Sequence, residues 1–224
     1  MPRADRTTGA DPIRAVSFDL FGTLVAATPP TNPADAVATA LRERDVSVPD
    51  DWRTRYETAY GRSEPGAERS LYDHVESALA ADAPNGKQAV SRRTIESAVD
   101  AAFDPTVETV SGAESVVRAV GDRFPIAILS NSSVPGLAAR AIERSGLRSA
   151  DFDAVVTSVD CGWRKPDPRA FETVAGALDV SVDQLAHVGD DPETDGAIAA
   201  AGGRYVSVQQ ESLESVVALL GVEP

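Results

Sequence analysis

Five short, almost unbroken apolar runs mark the chain: RAVSFD (14–19), PIAILS (125–130), FDAVVTS (152–158), LAHVGD (185–190) and RYVSV (204–208). Continuous rather than alternating hydrophobicity is the pattern of parallel strands buried on both faces. Between the runs the apolar spacing turns helical. Val116, Val117 and Val120 follow Ser111, which is read as the opening of one helix. Leu137, Ala141 and Ile142 share a face of the next, and Phe171, Val174, Ala175 and Leu178 mark another after Pro168. Strand–helix alternation of this kind predicts an α/β fold built on a doubly wound parallel sheet.

The alternation breaks after the first run. From Thr28 to the next core helix the pattern carries no strand signal, only helical spacing. Asn32 is placed to cap a helix with Pro33 at its first position, continuing through Val37 and Leu41. Leu71, Val75, Ala78 and Leu79 mark a second helix, and Ser91 is placed to cap a third that carries Ile95, Val99 and Ala102. EPGAERS (64–70) and DAPNGK (82–87) are turn-rich connections. The expected organisation is a flexible tail over 1–13, a core formed by 14–27 and 106–224, and a small helical cap over 28–105.

Composition narrows the partners. A chain of 224 residues with 42% hydrophobic content suits one sizeable domain or a core with an insertion. Its apolar runs are too short to span a bilayer, and MPRADRTTGADPIR lacks the apolar stretch of a signal peptide, so no membrane partner is expected. The single cysteine, Cys161, excludes an internal disulfide and fits a reducing cytoplasm. A net charge of −14 without a basic patch argues against nucleic acid. Lys87 and Lys165 are the only lysines, and an acidic, lysine-poor surface is that expected of a halophilic source. Nothing in the pattern specifies an oligomeric state.

In an open parallel sheet, ligands bind beyond the carboxyl ends of the strands. Those ends carry Asp19 after the first run, Ser130 and Asn131 after the second, and Lys165 in the CGWRKPDP loop beyond the third. Asp190, Asp191 and Asp195 follow the fourth. A hydroxyl, an ammonium and several carboxylates in one crevice suit a hard divalent cation beside an anionic small-molecule substrate.

Four segments in this order, FDLFGTLV, ILSNSS, GWRKPDPRAF and HVGDDPETDGAIAAAG, resemble the motifs of the haloacid dehalogenase (HAD) superfamily of hydrolases. The resemblance covers about residues 14–208 and includes a helical cap after the first motif. It implies a phosphatase-type hydrolase of a small phosphorylated metabolite, working with Mg²⁺ through an aspartyl-phosphate. Asp19 matches the nucleophile, Ser130 the residue that hydrogen-bonds the phosphoryl group, with Asn131 shaping the pocket beside it. Lys165 matches the charge-neutralising lysine. The implied metal ligands are Asp19, the backbone carbonyl of Phe21 and Asp190, with Asp195 in support.

Phe21 departs from the phosphatase pattern, which usually has a second aspartate there to protonate the leaving group and activate water. Two alternatives therefore stand beside the phosphatase reading. One is a metal-independent 2-haloacid dehalogenase, whose halide leaves without a proton and whose relatives carry an aromatic residue at this position. Such enzymes also use a cap arginine, for which Arg42, Arg44, Arg53 and Arg55 are candidates. The other is a weakly active or non-catalytic binding protein. Asp191 is read as a turn cap, His74, His187 and Cys161 as structural, and Trp163 as a cover for its loop or a substrate contact.

Overall fold

A computed structural model describes residues 12–60, 64–80, 90–209 and 212–222. The expected tail, apart from Pro12 and Ile13, lies outside the described residues, as do the DAPNGK connection and Lys87. Five strands form one parallel sheet: β1 (Ala15–Phe18), with β4 (Ile126–Ser130), β5 (Ala154–Thr157), β6 (Leu185–Gly189) and β7 (Arg204–Ser207). The shorter β2 (Val25–Ala27) and β3 (Val107–Thr109) stand apart from it. The order across the sheet is β5-β4-β1-β6-β7. β1 is central, and the chain fills one side of it through β4 and β5 before crossing to β6 and β7. That crossover brings the carboxyl ends of β1, β4 and β6 together, where a doubly wound sheet opens a crevice.

Alternate residues of the strands face opposite layers, as a pleated strand requires. Val16, Phe18, Ile126, Ile128, Ala186 and Val188 join the helices α5 (Ala113–Gly121), α6 (Leu137–Arg144) and α9 (Ser215–Leu219) in one buried cluster. Ala15, Ala127, Leu129 and Leu185 face the other way, against Phe171, Val174 and Ala175 of α8 (Pro168–Ala177). A separate cluster gathers α1 (Pro33–Arg42), α2 (Trp52–Tyr60), α3 (Leu71–Ala80) and α4 (Arg92–Ala102). Val134, from the segment after β4, is buried in that same helical cluster. The remaining α7 (Ser158–Cys161) is one turn long.

The caps follow local chemistry. Asn32 accepts the Asp35 N–H with Pro33 behind it, Ser91 accepts the Thr94 N–H, and Asp167 accepts the Arg169 N–H. The expected opening of α5 at Ser111 is corrected: Gly112, in a left-handed conformation, is the N-cap. The turn needs a backbone geometry that glycine adopts without the strain a side chain would add. α2 was not anticipated, because only Trp52 and Tyr56 of its nine residues are buried hydrophobics. β2 and β3 were missed as well. They pair antiparallel, Val25 with Thr109 and Ala27 with Val107, so the chain leaves for the four helices and returns along one ribbon. Three-residue strands are too short to show a period.

Candidate active site

Asp19 follows directly on β1, and its N–H donates to the Val188 carbonyl at 2.8 Å, extending the β1–β6 ladder by one residue. The FDLFGTLV turn then folds back, with Gly22 N–H donating to the Val25 carbonyl at 2.8 Å and Val25 N–H to the Leu20 carbonyl at 2.9 Å. Gly22 has φ +95°, and a Cβ there would lie 2.6 Å from Asp190 Oδ2. Glycine is thus needed both for the backbone and for the approach of the first-strand turn to the Asp190 carboxylate. Thr23 Oγ1 donates to Asp190 Oδ1 at 3.3 Å, fastening the same two segments.

Lys165 reaches inward from its loop. Its side chain is 2% exposed, and Nζ donates to Asp19 Oδ1 at 2.7 Å, Asp195 Oδ1 at 2.6 Å and the Leu129 carbonyl at 2.9 Å. Three acceptors match the three protons of an ammonium. Asn131 holds the loop itself, giving Nδ2–H to the Lys165 carbonyl at 2.9 Å and accepting the Lys165 N–H on Oδ1 at 2.8 Å. Ser130, the last residue of β4, is buried beside this junction and pairs in register with Thr157.

Asp195 is committed on both oxygens. Oδ1 accepts from Lys165 and lies 3.1 Å from His187 Nε2, while Oδ2 accepts the Asp191 N–H at 3.0 Å. A Cβ on Gly189 would fall 2.2 Å from Asp195 Oδ2, so only glycine lets this carboxylate tuck under β6. Asp191 caps its own turn, accepting the Glu193 N–H and the Thr194 hydroxyl.

His187 extends the network through the sheet. Its strand partner Ser17 places Oγ 2.8 Å from Nδ1. Burial and the Lys165 charge push the His187 pKa down to about 4, so the ring is neutral at pH 7. With Nε2–H aimed at Asp195, Nδ1 is left to accept from Ser17. Burial works against the Asp195 carboxylate, but the hydrogen bonds and charges of His187 and Lys165 outweigh it and hold its pKa below the usual range. Asp19 behaves oppositely. Burial raises its pKa to about 6; Lys165 opposes the rise, and the Asp195 and Asp190 carboxylates add to it.

The structure therefore brings Asp19, Lys165, Asp190 and Asp195 into one cluster, with Asn131 tying down the Lys165 loop and Ser130 buried next to it at the end of β4. Oxygens of Asp19, Asp190 and Asp195 lie within 4.8 Å of one another, a donor set that suits a hard cation. Because Asp195 is spoken for, Asp19 and Asp190 are the carboxylates that fit direct coordination. The Phe21 side chain is half-buried against the main apolar cluster. Trp163 lies under the Arg169 guanidinium, whose carbon is 3.1 Å from the ring centroid.

Three of the four candidate arginines are engaged within the four-helix cluster: Arg44 with Ser97 and Ala40, Arg53 with Asp35, and Arg55 with Asp51. Arg42 is exposed. Ser17, His187, Thr23 and the Leu129 carbonyl were not singled out as site groups in the sequence. A polar residue inside a fully buried apolar strand was the signal for the first two.

Residues 13–203 match the family described as haloacid dehalogenase-like hydrolase. The chain belongs to that family. It is 33% identical over 115 residues to the Haloacid dehalogenase-like hydrolase domain-containing protein 3 of Bos taurus, covering 50% of this chain and 45% of that protein. The chain thus spans about half the length of the curated relative. Among solved structures, a 2-haloacid dehalogenase from Pseudomonas syringae pv. Tomato superposes with TM-score 0.68 at 19% identity, covering 93% of this chain and 98% of that one. The putative HAD-hydrolase YfnB from Bacillus subtilis, bound to magnesium, gives 0.56 at 18% identity over 94% and 100%. Likenesses this distant show the shared fold. Among the described residues no helix is long and apolar enough to cross a membrane.

Proposed function

We propose that the protein is a Mg²⁺-dependent phosphatase-type hydrolase of small phosphorylated metabolites, with residues 28–105 as the cap over its site. The observation that carries this reading is the Asp190 carboxylate set against the Asp19 turn. Lys165 is shared between Asp195 and one oxygen of Asp19, so it offsets only part of the repulsion between Asp19 and Asp190, and a cation joining those two carboxylates would relieve the rest. The magnesium bound to the Bacillus subtilis relative supports the same assignment. Bound between Asp19, the Phe21 carbonyl and Asp190, Mg²⁺ would supply positive charge to substrate oxygens and to the nucleophile.

Asp19 attacks phosphorus, the ester P–O bond breaks, and the leaving alkoxide takes its proton from water. Water then attacks the phosphorus of the aspartyl-phosphate, releasing phosphate and restoring Asp19. Ser130 hydrogen-bonds a phosphoryl oxygen, while Lys165, whose three protons go to Asp19, Asp195 and the Leu129 carbonyl, acts through its charge, offsetting that on Asp19 throughout. Phe21 gives no proton, so alkyl esters lose the factor of about 10²–10⁴ that general acid–base help supplies. Substrates with good leaving groups are favoured. The acidic surface and single cysteine fit a reducing cytoplasm in strong salt.

Phe21 also favours a second reading, 2-haloacid dehalogenation, in which a halide departs unprotonated; the Pseudomonas syringae structure supports it. A screen of phosphorylated metabolites and 2-haloacids, with Mg²⁺ and with EDTA, at low and multimolar salt, separates the two. Mg²⁺-dependent phosphate release supports the first reading, and halide release in EDTA the second. Neither product under any condition leaves the binding-protein reading.

A further inference from the structure

We propose that Glu68 is a positioning residue. In the loop between α2 and α3, it holds in register the two core loops that carry Ser130–Asn131 and Lys165. Glu68 Oε2 accepts a hydrogen bond from Ser158 Oγ at 2.8 Å, and the Glu68 side chain is only 3% exposed. Ser158 Oγ in turn accepts the Ser132 N–H at 2.8 Å and lies 3.2 Å from the Ser132 carbonyl. A hydroxyl has one proton. Given to the carboxylate at the shorter distance, it leaves the serine lone pairs free for Ser132, and the three groups form one polarised chain.

The two ends of that chain are the site's own loops. Ser132 lies two residues past Ser130, and Ser158 opens the segment that leads through Trp163 to Lys165. The backbone around Glu68 grips both loops. Glu68 N–H donates to the Gly162 carbonyl at 2.8 Å, Arg164 N–H to the Gly66 carbonyl at 2.9 Å, and Leu71 N–H to the Ser133 carbonyl at 2.7 Å. Val134 adds an apolar anchor in the cap cluster. Among the described residues of the α2–α3 loop, Glu68 is the carboxylate that reaches a core loop through a buried serine, and its Oε2 also lies 3.9 Å from Arg164 Nε. It touches none of Asp19, Lys165 or Asp190, so it acts through loop geometry.

The test uses the full chain and reads amide hydrogen exchange, which needs no knowledge of the reaction. Glu68→Ala is expected to speed exchange of the Ser132 and Lys165 amides by about 10-fold or more, the loss of one hydrogen bond to a carboxylate. The Asp19 amide, held by β6, is expected to exchange as in the wild type. Glu68→Gln, whose amide oxygen accepts the Ser158 proton, should restore protection to within about threefold. Where Glu68→Ala does not fold, Ser158→Ala breaks the link to Glu68 and is read at the Lys165 amide, since it also removes the acceptor of the Ser132 N–H; an unchanged Lys165 amide there would overturn the proposal.

The second readout is turnover of 4-nitrophenyl phosphate with Mg²⁺, or of 2-chloropropionate in EDTA, whichever the wild type hydrolyses. kcat should fall about 10-fold in Glu68→Ala with KM little changed, and recover in Glu68→Gln. Unchanged exchange at Ser132 and Lys165, or loosened loops with kcat intact, would overturn the proposal. The proposal rests on the active-site reading only for its kinetic arm. A wild type inactive on both probes contradicts that reading, while the exchange pattern still decides whether Glu68 positions the loops.

Discussion

Lys165 and Asp195 form a 2.6 Å ion pair with both side chains buried. The pair ties the loop after β5 to the turn after β6, across the carboxyl end of β1 where Asp19 stands. Both partners are held further: Lys165 also donates to Asp19, and Asp195 also faces the neutral His187 ring. Buried pairs of this kind are valuable less for their net energy than for the cost of removing one partner.

Asp195→Asn keeps the shape and removes the charge. Lys165 then retains only Asp19 as an anionic partner, and the folded state is expected to lose about 3 kcal/mol, read from denaturant melting. Turnover should fall about 100-fold, because an ammonium no longer fixed is no longer aimed at the reacting oxygen atoms. An unchanged midpoint would mean that this pair does not hold Lys165 in place.

Gly22→Ala tests the approach of the first turn to Asp190. The new Cβ would sit 2.6 Å from Asp190 Oδ2 on a backbone at φ +95°, so both strain and collision act. The expected cost is about 1–3 kcal/mol of stability, with a weakened thermal response to Mg²⁺ because the Asp190 carboxylate must move. Full retention of that response in a folded variant would detach Gly22 from the proposed metal site.

Acid should destabilise the four-helix cluster through His74. Burial, with the Arg69 charge adding, lowers its pKa from 6.5 to about 4. The folded ring therefore stays neutral where the unfolded one binds a proton. Stability from this group is fully present above about pH 6.5 and is lost as pH falls towards 4, by about 2–3 kcal/mol in all. Melting temperature followed from pH 7 to pH 4 should drop less steeply in His74→Leu than in the wild type. Parallel curves would assign the acid sensitivity to other groups.

Much of the core was legible because its signals are local. All five sheet strands and the helices at Asn32, Ser91 and Pro168 announce themselves by apolar runs, caps and spacing. Asp19, Asn131, Lys165 and Asp190 could be placed because a parallel sheet exposes the residues at its strand ends. What stayed hidden was tertiary. Ser17 and His187 share a hydrogen bond only because β1 and β6 pair in that register. EPGAERS looked like a plain connection, yet Gly66 and Glu68 dock on the Lys165 loop. α2 was missed because its buried side chains are amphipathic aromatics, and β2 and β3 because three residues carry no period.

Phe21→Asp should add the missing proton donor. The new carboxyl would stand near Asp19, where like charge favours its protonated form. Turnover of an alkyl phosphate should rise about 10-fold or more, and that of 4-nitrophenyl phosphate less, since its leaving group needs little protonation. The half-buried ring gives up contacts with the main cluster, a cost of about 1–2 kcal/mol read by thermal melting. No gain on alkyl phosphates in a folded variant would show that proton donation does not limit this site.

The central claim is that Asp19 and Asp190 together make a cation-dependent phosphoryl site, and the rate of phosphate release as a function of Mg²⁺ tests it most directly. The measurement uses 4-nitrophenyl phosphate at constant ionic strength, because a chain of net charge −14 responds to salt in general. The wild type should be inactive in EDTA and gain activity saturably with Mg²⁺. Asp190→Asn should need about 10-fold more Mg²⁺ or more, and Asp19→Asn should be inactive at any concentration. Phosphate release that is equally fast in EDTA, or that survives in Asp19→Asn, would contradict the account.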